Sequence, residues 1–387
     1  MRKLNVDNSV EFTAANPGAA QREELDAVRR MLESHPFRPY RAFRSGHYQT
    51  MASYFWRRRF PLEQFAEDEE RLFEVEPGVR ILGKCSWQSA RLENPVMVIV
   101  HGLEGSADSR YMLGTGMKAR AAGFNVIRLN MRTCGATEHL APTLYNSGMS
   151  PDVRAVIDEL IAVDKFPEIF VTGFSMSGNI VLKYAGEEGS DVPKELRGIC
   201  AVSPSVDLAA CAAAINLRSN WMYRRSFVSS LKNRIKVKNR IYPDRFRVDG
   251  IRKIKTIRDF DESYTALDGG FVNADDYYIK SSAKTLISEI RLPTMIIHAH
   301  DDPFVPIEPV LNSGAKSNPY VILLAPERGG HVGFLADSDP PDDRFWAENQ
   351  IVRFCRSLSR LLPKRDQETA NFAPGAAGIA NLPRRTE

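Results

Sequence analysis

The chain has 387 residues, 43% of them hydrophobic, and a formal net charge of +4. That length carries one large α/β domain or two ordinary ones, with ample apolar material for a core. So small a net charge argues against a nucleic-acid surface spanning the whole protein.

Residues 1–35 read as a polar N-terminal extension in which Gln21 to Leu32 forms one amphipathic helix. Val79 to Trp87 predicts an antiparallel strand at one sheet edge. Val96 to Val100 and Asn125 to Leu129 follow as buried strands, with a helix over Tyr111 to Ala122 between them. A helix over Ser150 to Val163 leads to the strand Ile169 to Thr172, then a helix over Gly178 to Glu187 and a strand over Gly198 to Val202. Two more strands, Thr294 to His298 and Tyr320 to Leu324, precede a helix over Asp342 to Leu361. These strands are short, continuously apolar and β-branched, as central parallel strands are. Their alternation with helices predicts an α/β fold: a mostly parallel sheet with helices on both faces. The alternation breaks at about 205–290, which reads as a cap-like insertion within a domain over 36–362. Residues 363–387, rich in Ala, Gly, Pro and Asn, read as a disordered tail.

Five cysteines, Cys85, Cys134, Cys200, Cys211 and Cys355, are dispersed and form no C-x-x-C pair. That spacing argues against a disulfide scaffold or a zinc site and for a reducing compartment. The N-terminus lacks the apolar core of a secretion signal, and no run nears the ~18–20 apolar residues of a membrane span. The expectation is a cytoplasmic protein.

Chemistry concentrates at Gly173-Phe174-Ser175-Met176-Ser177-Gly178, between a predicted strand and helix. A serine on so sharp a turn projects its hydroxyl from the top of the sheet. Taken alone, the motif equally describes a turn without chemistry. A serine hydroxyl needs a base within reach, and the base needs a carboxylate to fix its tautomer. Both stand later in the chain, each just after a strand: Asp301-Asp302-Pro303 and Gly329-Gly330-His331. We assign Ser175 as nucleophile, His331 as base and Asp302 as acid, with Asp301 the alternative. Taken separately, the Gly-Gly-His also reads as surface loop and the Asp-Asp-Pro as a turn or helix cap. The tetrahedral oxyanion needs preorganised N–H donors. The amides of Met176 and of Leu103, in His101-Gly102-Leu103-Glu104-Gly105-Ser106, occupy the positions such donors take. His101 reads as a residue that orders this loop.

These motifs make the chain similar to the YheT-like branch of the α/β-hydrolase superfamily. Further matching signatures are Gly46-His47-Tyr48-Gln49-Thr50, Arg132-Thr133-Cys134-Gly135, Tyr145-Asn146-Ser147-Gly148, Asp259-Phe260-Asp261, Asp276-Tyr277-Tyr278 and Gly330-His331-Val332-Gly333-Phe334. The resemblance spans about residues 36–360. It implies an α/β-hydrolase fold, the same three residues, and hydrolysis of carboxylic esters, from short- and medium-chain acyl esters to lipids, without metal or cofactor. The sequence departs from the family pattern at Ser177 and Thr133, where the family has glycine; Ser177 reads as a tolerated variation.

Two other functions share this chemistry or this fold: an acyltransferase using the same triad, and a non-catalytic ligand-binding protein. The segment 218–258 holds about fourteen Lys/Arg and two acids, Asp244 and Asp249. It reads as a solvated cap surface or as a weak contact with anionic membranes. It carries no recognised nucleic-acid motif.

Overall fold

The computed structural model describes residues 17–58, 60, 68–337 and 340–363. Apart from Pro363, the tail expected over 363–387 lies outside the described residues.

Eight strands form one sheet: β1 (Glu69–Glu76), β2 (Val79–Ser86), β3 (Val96–Val100), β4 (Asn125–Leu129), β5 (Ile169–Phe174), β6 (Leu196–Val202), β7 (Thr294–Ile297) and β8 (Val321–Leu324). Their order is β1-β2-β4-β3-β5-β6-β7-β8. Strands β3 to β8 pair in parallel, whereas β1 with β2 and β2 with β4 are antiparallel. The antiparallel strand expected at the sheet edge is β2, but β1 lies outside it. β1 reads Glu-Glu-Arg-Leu-Phe-Glu-Val-Glu and buries only Phe73 and Val75. An edge strand with one solvated face needs little apolar sequence.

The central strands bury both faces. Val96, Val98 and Val100 of β3 enter one core, and the alternate residues Met97 and Ile99 enter the other. Twelve helices accompany the sheet among the described residues: α1 (Ala19–Glu33), α2 (Gly46–Phe55), α3 (Arg110–Ala121), α4 (Ser150–Ala162), α5 (Met176–Glu188), α6 (Leu208–Ile215), α7 (Trp221–Ile241), α8 (Ile257–Phe260), α9 (Ala266–Asp268), α10 (Ala274–Ser281), α11 (Glu308–Leu311) and α12 (Trp346–Leu358). Helices α4 and α5 cover the first core; α1, α3 and α12 cover the second. Helix α1 buries Leu25, Val28 and Leu32, so this part of the N-terminal extension packs onto the body.

Helices α6 to α10 all lie between β6 and β7. They have a small core of their own, in which Val228, Leu231 and Ile235 of α7 meet Phe246, Ile254 and Phe260. A π-helical turn, Asp261–Thr265, follows α8.

Candidate active site

Strand β5 ends at Phe174, and the chain turns through Ser175 into α5. Ser175 has φ 56° and ψ −114°. Such a conformation costs an L-residue about 1–3 kcal/mol and persists only where its surroundings hold it. Space permits little else: a Cβ on Gly173 would lie 2.3 Å from the Ser177 carbonyl oxygen. The amide of Ser175 donates to Val202 O at 2.8 Å, on the β6 side. The amide of Phe174 points the other way, where β3 has run out. It donates to Ser177 Oγ at 2.8 Å, and that hydroxyl donates to Val100 O at 2.6 Å. Ser177 is fully buried. Read from sequence as a tolerated variation, it completes the hydrogen bonding where two strands end.

The histidine loop returns to this serine. Gly330 has φ 60°, and a Cβ there would lie 2.3 Å from Gly46 O. The His331 amide donates to Thr50 Oγ1 at 2.8 Å. Gln49, also on α2, donates to Phe43 O and Leu335 O and accepts from Leu335 N. Helix α2 therefore braces the loop, a role its residues did not disclose although their motif stood out. His331 Nε2 lies 2.9 Å from Ser175 Oγ, and Nδ1 lies 2.7 Å from Asp302 Oδ2. The tautomer that donates Nδ1–H to Asp302 leaves Nε2 to accept from the serine hydroxyl.

Asp302 is buried, and its other oxygen accepts from Phe304 N and Val305 N at 3.1 and 2.9 Å. Asp301 turns away and accepts from Gly330 N at 2.8 Å. Burial raises its carboxyl above the ordinary value. The structure thus brings Asp302, not Asp301, to His331.

Three amides in the loop after β3 have acceptors within the fold. Gly102 N donates to Tyr111 OH, Glu104 N to Tyr145 OH, and Gly105 N to Gly102 O. Leu103 N has no acceptor among the described residues, and neither does Met176 N at the start of α5. His101 is fully buried and fixes this loop: Nδ1 meets Gly102 O at 2.8 Å, and Nε2 accepts from Met131 N at 3.1 Å. Burial holds its imidazole neutral, with the pKa lowered to about 4.

The cap reaches the same loop. Glu104 Oε1 accepts from Tyr145 OH at 2.6 Å and from Arg234 Nε of α7 at 2.8 Å. Arg234 also donates to Thr133 O. Thr133 has φ 64°, which explains why glycine suits the position. Between cap and sheet lies a cavity of about 110 Å³. Ser175, Leu103, Met176, Ile215, Phe227 and Phe304 are among its lining. Asp261 also lines it and accepts from Tyr278 OH at 2.8 Å; burial raises its carboxyl to about 6. Cys211 is a further lining residue, and burial pushes its thiol well above the ordinary value, away from a reactive thiolate.

Sheet order, a strained serine after β5 and a cap between β6 and β7 define one class of protein. The chain belongs to the alpha/beta hydrolase fold family, whose model matches residues 95–338. It is 30% identical to the YheT protein of Escherichia coli strain K12 over 318 residues, 81% of this chain and 91% of that protein. It is 31% identical over 278 residues to a monoacylglycerol lipase of Saccharomyces cerevisiae, covering 68% of this chain and 59% of that one. It is 27% identical over 242 residues to the mouse phospholipase ABHD3, covering 62% and 58%. The chain thus spans about three fifths of these two eukaryotic relatives. Among solved structures, 2,6-dihydroxy-pseudo-oxynicotine hydrolase shares the fold with a TM-score of 0.51 and 15% identity, covering 88% of this chain and 83% of that one.

Proposed function

We propose that this protein is a serine hydrolase that cleaves carboxylic esters through an acyl-enzyme on Ser175. The observation that carries the reading is the relay from Ser175 Oγ to His331 to Asp302, at 2.9 and 2.7 Å, beside an apolar cavity. Relatives named as lipase and phospholipase add support for an acyl ester or lipid as substrate.

In this mechanism Ser175 Oγ attacks the ester carbonyl carbon while His331 Nε2 takes its proton. Asp302 holds the imidazole in place and stabilises its charged form. The amides of Leu103 and Met176 receive the oxyanion, and each such donor contributes about 3–4 kcal/mol to the transition state. The tetrahedral intermediate expels the alcohol, protonated by His331, and leaves the acyl group on Ser175. A water, deprotonated by His331, then attacks the acyl carbon and releases the free acid.

A second reading, acyl transfer to an alcohol in place of water, has support from a Saccharomyces cerevisiae relative named medium-chain fatty acid ethyl ester synthase/esterase 2. That protein is 26% identical over 336 residues, covering 80% of this chain. Product analysis with and without added ethanol separates the two. Fluorophosphonate labelling, lost in Ser175→Ala, tests both. A folded wild-type protein that takes no label and hydrolyses no ester would refute the proposal and favour a non-catalytic binding role.

A further inference from the structure

Helix α7 has two faces. Val228, Leu231, Ile235 and Lys238 turn into the cap. On the opposite side, at spacings of three and four residues, lie Met222, Arg225, Ser229, Lys232, Lys236 and Arg240. This outward face begins apolar. Leu217, Trp221 and Met222 are 58%, 53% and 45% exposed. It continues basic, and the five cations Arg218, Arg225, Lys232, Lys236 and Arg240 form no ion pair with an acid among the described residues. Lys232 is lowered from its ordinary value by partial desolvation and then by the charges of Lys255 and Lys236.

Of the other cations in the segment, Arg224, Arg234, Lys238, Arg245, Arg247 and Arg258 have partners within the fold, whereas Arg252, Lys253 and Lys255 form no ion pair with an acid among the described residues. Arg234 holds Glu104, Lys238 donates to Glu138 O and Ala141 O, Arg245 pairs with Asp268 and Arg258 with Asp275. Unpaired charge is therefore carried along α7 and the turn before it by Arg218, Arg225, Lys232, Lys236 and Arg240, and continues after the helix in Arg252, Lys253 and Lys255.

The apolar end of the outward face adjoins the active site. Tyr223, next to Met222, stacks on His47 with ring centroids 5.8 Å apart. Tyr223 also meets Phe304 at 5.0 Å, and Phe304 meets His331 at 4.3 Å. Tyr48, beside His47, is 65% exposed and extends the apolar rim onto α2. One turn further along α7, Phe227 lines the cavity.

We propose that the outward face of α7 docks the protein on an anionic phospholipid bilayer, with Leu217, Trp221 and Met222 entering the headgroup region and the cations facing lipid phosphates. Apolar anchors beside a row of cations are what interfacial helices use, and the two contributions act on one plane here. Among the described residues no helix is long and apolar enough to cross a membrane. Docking in this orientation sets the His47–Tyr223 rim against the lipid. Its use for substrate delivery rests on the ester-hydrolase reading; the docking itself does not.

The test uses full-length Ser175→Ala protein, so that binding is read without turnover. It is sedimented with phosphatidylcholine vesicles and with vesicles containing about one third phosphatidylglycerol. We expect binding to the anionic vesicles only, and release in high salt. Each cation near an anionic surface contributes roughly five-fold. Lys232→Glu with Lys236→Glu should therefore weaken binding on the order of 25-fold or more. Arg225→Glu with Arg240→Glu should do the same and serves as an independent pair. Trp221→Ser with Met222→Ser should weaken binding to the anionic vesicles at low salt. In the Ser175 background, the same surface variants should hydrolyse a soluble short-chain ester as the wild type does. Equal sedimentation with both vesicle types, or unchanged binding in both charge-reversed pairs, would overturn the proposal. So would a wild-type dimer that Trp221→Ser dissociates, since the face would then be an interface between copies. Loss of esterase activity with intact vesicle binding would instead refute the functional reading alone.

Discussion

Ser177→Ala removes one oxygen from the most confined part of the molecule. The Phe174 amide then has no acceptor: it faces β3, which ends at Val100, and Ser177 Oγ at 2.8 Å is its partner. Phe174 and Ser177 are both buried, so water does not replace the hydroxyl readily. An unsatisfied buried donor costs about 1–3 kcal/mol. Val100 O loses its bond from the same hydroxyl, a smaller penalty because a carbonyl has two lone pairs. We expect Ser177→Ala to lower the unfolding free energy by about 2–3 kcal/mol. Ser177→Gly, the residue usual in the family, should cost up to ~1 kcal/mol more through backbone freedom. Urea denaturation followed by circular dichroism measures both, and hydrogen exchange at the Phe174 amide should quicken in step. Fluorophosphonate labelling of Ser175 should slow, because the strained φ next door is held by these bonds. If both variants unfold within about 0.5 kcal/mol of wild type, the clamp contributes nothing net and the reasoning fails.

Thr133→Gly should stabilise the protein by about 1 kcal/mol, because φ 64° burdens a β-branched residue and suits glycine; a lower urea midpoint would contradict this. Arg234→Met should destabilise by about 3–5 kcal/mol, since it strands the buried Glu104 carboxylate. The double variant with Glu104→Gln should recover part of that loss, and a double-mutant cycle by urea unfolding would show coupling of about 1–3 kcal/mol. Asp261 carries a raised carboxyl, about 6 against an ordinary 3.8, so the folded state holds its proton longer than the unfolded chain does. Its ionisation therefore opposes folding, and stability falls as pH rises from about 4 to 6. Asp261→Asn should remove that decline, worth roughly 3 kcal/mol, while keeping the amide within reach of Tyr278. Identical pH–stability curves for the variant and wild type would refute this assignment.

The parallel strands were legible because burial on both faces leaves a plain signature, as in Val-Met-Val-Ile-Val of β3. The serine, aspartate and histidine were legible because each follows such a strand at the same sheet edge. Strand β1 was hidden by its glutamates, which an edge strand turns to solvent. The brace from Thr50 to His331 joins residues 281 apart, and no local pattern encodes it. The same holds for Arg234 and Glu104, 130 residues apart, whose pairing removes one cation from what read as a solvated basic segment. The bonds of the Ser177 hydroxyl were not legible because they form only where two strands end together, a fact of topology.

Three imidazoles, those of His101, His298 and His331, lie near Ser175, and the fold treats them differently. His101 and His298 are sealed from solvent, and burial lowers both. His298 Nε2 is tied to Val305 O at 2.9 Å, as His101 is tied to its own loop. Neither of these two histidines therefore changes the charge beside Ser175 when the medium turns mildly acidic, in contrast to Asp261 across the cavity. In a pH–rate profile for this protein, the cavity group expected to change charge near pH 6 is then Asp261 and not the buried His101.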